Sequence, residues 1–262
     1  MKKIIVANWK CNPATLKEAE KMVGDLKKGL RAVKNEVVVC PPFCYLGASA
    51  FARQKASFCG LAFGSQNCFW EQSGAFTGEV APTMLKSLGC KYVILGHSER
   101  VMTMGETNEM TAKKVKTVLA VGLTPIVCIG ETHDEKKQGK TLEIIEKEFK
   151  ESLQKINKSQ ASKVIIAYEP LWAIGAGPVR GGTSNGAGKN CSADDAITVA
   201  LYIKKLADKI FGKQARAIKV LYGGSVSGQN ANDYLSSDWL SGLLVGSASL
   251  DIKEFLKICK SA

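Results

Sequence analysis

Short apolar runs, each the length of one strand, recur along the whole chain with helical periodicity between them, and this alternation limits the fold more than any other feature. Lys3 to Asn8 is the first run. After Pro13, Leu16, Ala19, Met22, Val23, Leu26 and Leu30 fall on one helical face. Val37 to Cys40 is the second, stopped by Pro41-Pro42, and Cys59 to Ser65 the third, followed by a long loop from Gln66 to Glu79. Tyr92 to Leu95 stops at Gly96 and precedes a helical stretch with Met110, Val115, Val118 and Leu119. Thr124 to Ile129 ends at Gly130 and leads to a charged helix around Leu142 to Leu153. Lys163 to Tyr168, Ala217 to Leu221 and Gly242 to Val245 complete eight runs.

Strands this apolar are buried on both faces, which parallel strands covered by helices achieve. Eight βα units in 262 residues predict an α/β chain folded as a (β/α)8 barrel, one domain over 1–262. A doubly wound sheet is the alternative, but no G-x-G-x-x-G follows the first strand. No Pro/Ser-rich linker marks a second domain. Between the sixth strand and its helix, Gly175 to Cys191 is unusually rich in glycine.

The balance of 45% hydrophobic and 23% charged residues is that of an ordinary soluble protein. The apolar run Ile4 to Ala7 is cut by Asn8, Trp9 and Lys10, so it reads as a strand rather than a secretory segment. No run is long enough to cross a bilayer, and no membrane partner is expected. Nine cysteines are an odd number without a C-x-x-C pair, and with two histidines they offer no zinc spacing, so neither a metal nor a disulfide framework is expected. They read as buried thiols in a reducing cytoplasm. The net charge of +12 could attract an anionic substrate or nucleic acid, or aid solubility. Lys17, Lys21 and Lys28 recur at helical spacing, which favours a solvated helix face over nucleic-acid binding.

Several strand ends carry polar residues that a fold alone does not require. The sixth ends Tyr168-Glu169-Pro170, where Pro170 has no N–H to continue a ladder, leaving Glu169 at the strand's C-terminal end as a candidate base. An isolated Glu-Pro pair is more often a strand-capping ion pair, so the rest of the chain has to carry the assignment. The first ends Asn8-Trp9-Lys10, and a lysine there can present a fixed cation to an anionic ligand. The fourth ends Gly96-His97-Ser98-Glu99-Arg100, and His97 could exchange a proton near neutral pH or be structural. His133, beside Asp134 and Glu135, reads as solvated. Tyr222-Gly223-Gly224-Ser225 and Val245-Gly246-Ser247-Ala248-Ser249 end the last two strands with small residues that let backbone N–H groups approach a phosphate. Each is weak by itself; a lysine, a histidine, a glutamate and two Gly/Ser turns at five strand ends form one constellation.

Those residues, with Gln66-Asn67, Gly74-Ala75-Phe76-Thr77-Gly78-Glu79, Cys128-Ile129-Gly130-Glu131 and Trp172-Ala173-Ile174-Gly175, resemble the triosephosphate isomerase family in order along essentially the whole chain. The resemblance implies a TIM barrel that interconverts dihydroxyacetone phosphate and D-glyceraldehyde 3-phosphate through an enediolate, in glycolysis and gluconeogenesis, with no cofactor. It implies Glu169 as the base, its action sharpened by a lid that removes water. It implies His97 as a neutral imidazole that polarises the carbonyl and shuttles protons between oxygens, and Lys10 as the cation facing the developing oxyanion, oriented by Asn8. Ser98 matches the residue that holds the base while the lid is open, and Glu99 a buried structural or relay carboxylate. Phosphate would rest on the N–H groups of the lid glycine, Ser225, Gly246 and Ser247. Thr77 matches an intersubunit loop and implies a homodimer.

Three departures stand out. Ser247 occupies a position where the family usually has glycine, and Val101 one where it has a second arginine, which removes an ion pair. The lid is longer: Gly175-Ala176-Gly177 and Gly186-Ala187-Gly188 are two copies of one triplet, so an insertion of about 177–188 is expected in or beside it. The phosphate-facing glycine is Gly175 or Gly186, with Gly175 favoured because the Trp172-Ala173-Ile174 arm leads into it. A barrel that binds polyanions through its basic surface, and an isomerase for another small phosphosugar, are the competing functions.

Overall fold

The computed structural model describes residues 2–48, 61–174 and 191–261. Gly175, Gly186, the insertion at 177–188 and Cys59 lie outside the described residues. Eight parallel strands close into a barrel in chain order: β1 (Ile4–Asn8), β2 (Glu36–Cys40), β3 (Leu61–Ser65), β4 (Tyr92–Leu95), β5 (Thr124–Ile129), β6 (Ile165–Tyr168), β7 (Lys219–Tyr222) and β8 (Gly242–Val245). β8 returns to β1, pairing Ile4 with Gly242 through Ala7 with Val245. The register is uneven: β1 and β2 share five residue pairs, whereas β3–β4 and β7–β8 share two each.

The strands predicted from the sequence match these, with small shifts at their starts. β7 begins two residues later than expected, because Lys213–Ala217 forms a 3-10 turn that ends at Ala217. The alternation of side chains explains why the runs are apolar throughout. Ile4 and Val6 point into the barrel with Val38, Ile94, Ile126, Ile165 and Leu244, while Ile5 and Ala7 join the layer between barrel and helices.

The helices outside the barrel are α1 (Leu16–Gly29), α2 (Phe43–Leu46), α3 (Pro82–Ser87), α4 (Ser98–Met104), α5 (Asn108–Ala120), α6 (His133–Lys137), α7 (Thr141–Leu153), α8 (Lys158–Ala161), α9 (Ala193–Phe211), α10 (Ala231–Leu235) and α11 (Ile252–Lys260). In α1, Thr15 and Glu18 form a reciprocal capping box, and Ala19, Val23 and Leu26 face the core. Leu16, expected on that face, is 44% exposed because the helix begins there, before its buried stripe reaches the barrel. Lys21 and Lys28 are solvated and flank Asp25. Ser192 caps α9, its Oγ accepting from the Asp195 N–H at 3.1 Å. Among the described residues no helix is long and apolar enough to cross a membrane.

The eight described cysteines are free thiols, six of them buried; Cys11 and Cys44 are exposed, contrary to the expectation that all are buried. Both sit where the chain leaves a strand end for the surface, at the turn after β1 and in the short α2.

Candidate active site

At the C-terminal mouth of the barrel, Asn8, Lys10, His97, Glu169, Gly223, Ser225, Gly246 and Ser247 line one cavity of about 350 Å³, with Ile174 and Leu244 among its apolar walls. The residues singled out from five strand ends therefore share one site. Glu169 follows β6 and is 2% exposed. Its N–H continues the ladder to the Ile129 carbonyl at 2.8 Å, and Pro170 then ends the strand. One carboxylate oxygen, Oε1, lies 3.4 Å from His97 Nε2, and the other accepts from the Ser98 backbone N–H at 3.3 Å.

His97 caps the N-terminus of α4: its Nδ1 accepts from the Glu99 N–H at 3.2 Å. A ring nitrogen that accepts carries no hydrogen, so the proton of the neutral ring belongs to Nε2, the nitrogen that faces Glu169 and the cavity. The backbone of a short helix thus sets the tautomer.

Lys10 has φ of 54°, a left-handed conformation that costs a non-glycine residue on the order of 1 kcal/mol. Three bonds hold it there. Its N–H donates to Asn8 Oδ1 at 3.0 Å, and its carbonyl accepts from Gln66 Nε2 at 2.8 Å. Gln66 Nε2 also donates to the Cys40 carbonyl at 2.8 Å, so one amide clamps the turn after β1 to the end of β2. The ammonium then pairs with Glu99 Oε1 at 2.5 Å. Glu99 is not the buried carboxylate that the resemblance implied: its side chain is 40% exposed in this chain, although it faces the site, paired with Lys10 and 3.9 Å from His97 Nδ1.

On the other side of the mouth the groups are backbone. Gly246 adjoins Lys10, where an added Cβ would lie 3.2 Å from Cε, and Ser247 opens a 3-10 turn, Ser247–Ser249. Ser225, an expected phosphate donor, gives its N–H to the Ala173 carbonyl at 3.0 Å, so this donor is committed within the protein. Thr77 lies apart from the cavity, inside a stretch exposed from residue 71 to 79. His133 is exposed, as expected.

Several groups that shape the site carried no chemical signal in the sequence. A Cβ on Gly223 would stand 2.8 Å from Glu169 Cγ, and one on Gly130 1.9 Å from the Glu169 carbonyl oxygen, so Gly223 makes room for the Glu169 side chain and Gly130 for its backbone. Cys128, on β5, lies beside it; burial, then the neighbouring Glu169 charge, push the thiol well up, which keeps it a neutral thiol. Glu131 anchors the arm after Glu169, accepting from Trp172 Nε1 at 2.9 Å and the Tyr168 hydroxyl at 3.1 Å. Glu148 on α7 accepts from the Gly130 N–H at 2.8 Å and so supports the turn beneath Glu169. The motifs Cys128-Ile129-Gly130-Glu131 and Tyr222-Gly223-Gly224-Ser225 contain four of these residues without indicating their roles, and Glu148 lies outside every motif. Among the described residues no group of three or more His, Cys, Asp or Glu could hold a metal ion.

A closed eight-stranded parallel barrel, with a carboxylate, an imidazole and an ammonium at one mouth opposite backbone donors, defines an α/β-barrel enzyme that moves protons on an anionic substrate. The chain matches the family model described as triosephosphate isomerase over residues 3–262. It is 42% identical over 265 residues to a triosephosphate isomerase of Dictyoglomus thermophilum, covering 99% of both chains, and 38% identical to one of Aquifex aeolicus over the full length of both. The crystal structure of triosephosphate isomerase from Bartonella henselae superposes with a TM-score of 0.83 at 30% identity, covering 100% of this chain and 99% of that one. The chain belongs to the triosephosphate isomerase family, and it is an enzyme with that activity.

Proposed function

We propose that Glu169, His97 and Lys10 interconvert dihydroxyacetone phosphate and D-glyceraldehyde 3-phosphate without a cofactor. The observation that carries this reading is the placement of Glu169 Oε1 3.4 Å from His97 Nε2 in a cavity that Lys10 also lines. Glu169 removes a proton from the carbon beside the carbonyl, leaving an enediolate. The Nε2 proton of His97 passes to the carbonyl oxygen, the ring recovers a proton from the neighbouring oxygen, and Glu169 returns its proton to the adjacent carbon. Atoms and charge balance, and the bond that breaks on one carbon is remade on the next. Lys10 faces the enediolate oxygens from a backbone turn already held by Asn8 and Gln66, its ammonium paired with Glu99, so little reorganisation is needed as negative charge develops.

In this reading the carboxylate described above is at rest on the Ser98 N–H and turns into the cavity when substrate enters. The phosphate sits on N–H groups of Gly246 and Ser247, and on Ser225 once its bond to Ala173 is exchanged. Gly175, or Gly186, supplies the lid contact. A homodimer fits the exposed loop around Phe76 and Thr77 and the exposed Met102 and Met104 at the end of α4. Sedimentation of the wild type and of Thr77→Arg tests it, with a halved mass expected for the variant. The free thiols support a cytoplasmic setting.

The decisive experiment is triose-phosphate turnover of the wild type and Glu169→Gln. Removing a general base costs about 10²–10⁴ in rate. A loss below roughly tenfold, set against that range, would overturn Glu169 as the base.

A further inference from the structure

The positive charge of this chain is concentrated at the end of the barrel that does not bind substrate. In a parallel barrel every strand starts at one end, and the turns leading into the strands gather there. Lys155, Lys158 and Lys163 lie between the end of α7 and the start of β6. Lys213 and Arg216 lie between α9 and β7, which itself opens with Lys219. Arg31 and Lys34 precede β2, Lys91 precedes β4, and Lys2 and Lys3 precede β1. Among the described residues of these turns and strand starts the acidic residues are Asp238, before β8, and Glu36, which opens β2 and accepts from the Tyr92 hydroxyl at 2.8 Å. Among the described residues the turns at the catalytic end have the opposite balance, with Glu71, Glu79, Glu106, Glu131, Glu169 and Asp251 against Lys10 and Lys140; in sequence the loop after β6 adds Arg180 and Lys189. The excess charge therefore does not serve to steer an anionic substrate into the mouth.

We propose that the N-terminal end of the barrel is a docking face for an anionic membrane surface. The basic residues stand at the starts of β1, β2, β4, β6 and β7, all around the ring rather than along one line. A plane of lipid headgroups meets all of these sectors together, whereas a rod-shaped duplex crosses only some. Lys155, Lys158, Lys163, Lys213 and Lys219 are exposed and have no ion-pair partner among the described residues, while Arg216 pairs with Asp208. The same face carries Trp239, 49% exposed, in the turn before β8. An exposed indole at the rim of a basic face is suited to the headgroup boundary, where its ring meets acyl chains and its N–H meets water. Lys3 holds that turn in place, donating from Nζ to the carbonyls of Ser237 at 2.6 Å and Leu240 at 2.8 Å. The expectation that no membrane is a partner concerned segments that span; this face would dock without spanning.

Vesicle sedimentation of the full chain tests the proposal. With vesicles of phosphatidylcholine containing about 30% phosphatidylglycerol, binding is expected at about 0.1 M salt, with loss at about 0.5 M and none to phosphatidylcholine alone. The triple change Lys158→Gln, Lys163→Gln, Lys213→Gln is expected to weaken binding at least about tenfold while turnover stays within about twofold, since charges near an anionic surface act additively. A matched triple change at the other end, Lys17→Gln, Lys137→Gln, Lys140→Gln, is expected to bind like the wild type. Adding vesicles should shift the fluorescence of the wild type to the blue but not that of Trp239→Phe. Absent binding to the anionic vesicles, equal loss from both triples, or displacement by stoichiometric duplex DNA would overturn the proposal, the last in favour of nucleic acid.

Discussion

The two sides of the barrel mouth are built from different parts of the chain's chemistry. On the β1, β4 and β6 side the functional atoms belong to side chains, and each is held by a partner: Lys10 by Asn8, Gln66 and Glu99, His97 by the Glu99 N–H, and Glu169 by the Ser98 N–H. On the β7 and β8 side the candidate donors are main-chain N–H groups of small residues. Moving a proton requires an atom that titrates, so the first side tolerates few residue types. Seating a phosphate requires only correctly aimed amides, so the second constrains shape more than identity.

This contrast can be broken in several ways besides removal of the base. Gly223→Ala crosses the divide, because a β7 residue would push on Glu169 Cγ from 2.8 Å. Turnover should fall about 10- to 100-fold with KM little changed, as expected for a misplaced catalytic group; a variant that loses only affinity would show that Gly223 serves the phosphate alone. Next in size is Gln66→Leu, which leaves the Lys10 carbonyl without its donor, the Cys40 carbonyl with the Trp9 N–H alone, and frees a strained turn. About 1–2 kcal/mol of stability should be lost, with roughly a tenfold drop in turnover. Denaturation and steady-state kinetics of one preparation would check both, and unchanged turnover would reduce Gln66 to a structural clamp.

The third prediction concerns pH. Burial, then the charges of Glu135, Glu131 and Glu151, raise Glu148 to about 7, although the Gly130 N–H pulls the other way. Between its ordinary value and 7 the folded chain holds a proton that the unfolded chain releases, so this group's stabilisation is present at acid pH and lost as pH rises through 7. Glu148→Gln removes the titration, and its stability relative to wild type should rise by about 1 kcal/mol from pH 5 to 8, discounted for partial solvent exposure. Denaturant midpoints at the two pH values decide it, and an equal difference at both refutes it. The smallest effect is expected for Ser247→Gly, which keeps the backbone donor: KM should move less than about threefold, well below the loss for an unpaired charged contact. A larger rise would mean that the serine hydroxyl, and not the amide, carries the contact.

What could be read from the sequence follows the same division. Strand ends that carry Lys10, His97 and Glu169 were visible because a titrating residue interrupts an apolar run, and the barrel was visible because eight such runs recur. The supporting layer was not. Gln66, Gly130 and Gly223 stand in motifs that match the family, but a linear string does not show that Gln66 acts through two carbonyls, that the two glycines leave space for Glu169, or that Glu148 reaches in from a remote helix. Glu99 was misjudged for a related reason, since exposure depends on what packs over a helix and not on the helix itself. The commitment of the Ser225 N–H to Ala173 likewise emerges only once β7 meets the arm after β6.

The uneven strand register has a further consequence for how the enzyme assembles. The two junctions with only two residue pairs, β3–β4 and β7–β8, divide the ring into one arc of β4 to β7 and another running from β8 through β1 to β3. His97 and Glu169 stand on the first arc and Lys10 on the second, with the Lys10–Glu99 pair reaching between them. A folding chain could therefore complete its acid–base pair within one arc while remaining inert. With the proposed role of Lys10, the charge facing the substrate arrives only when the ring shuts, and activity recovered during refolding then serves as a clock for closure of the barrel rather than for formation of its parts.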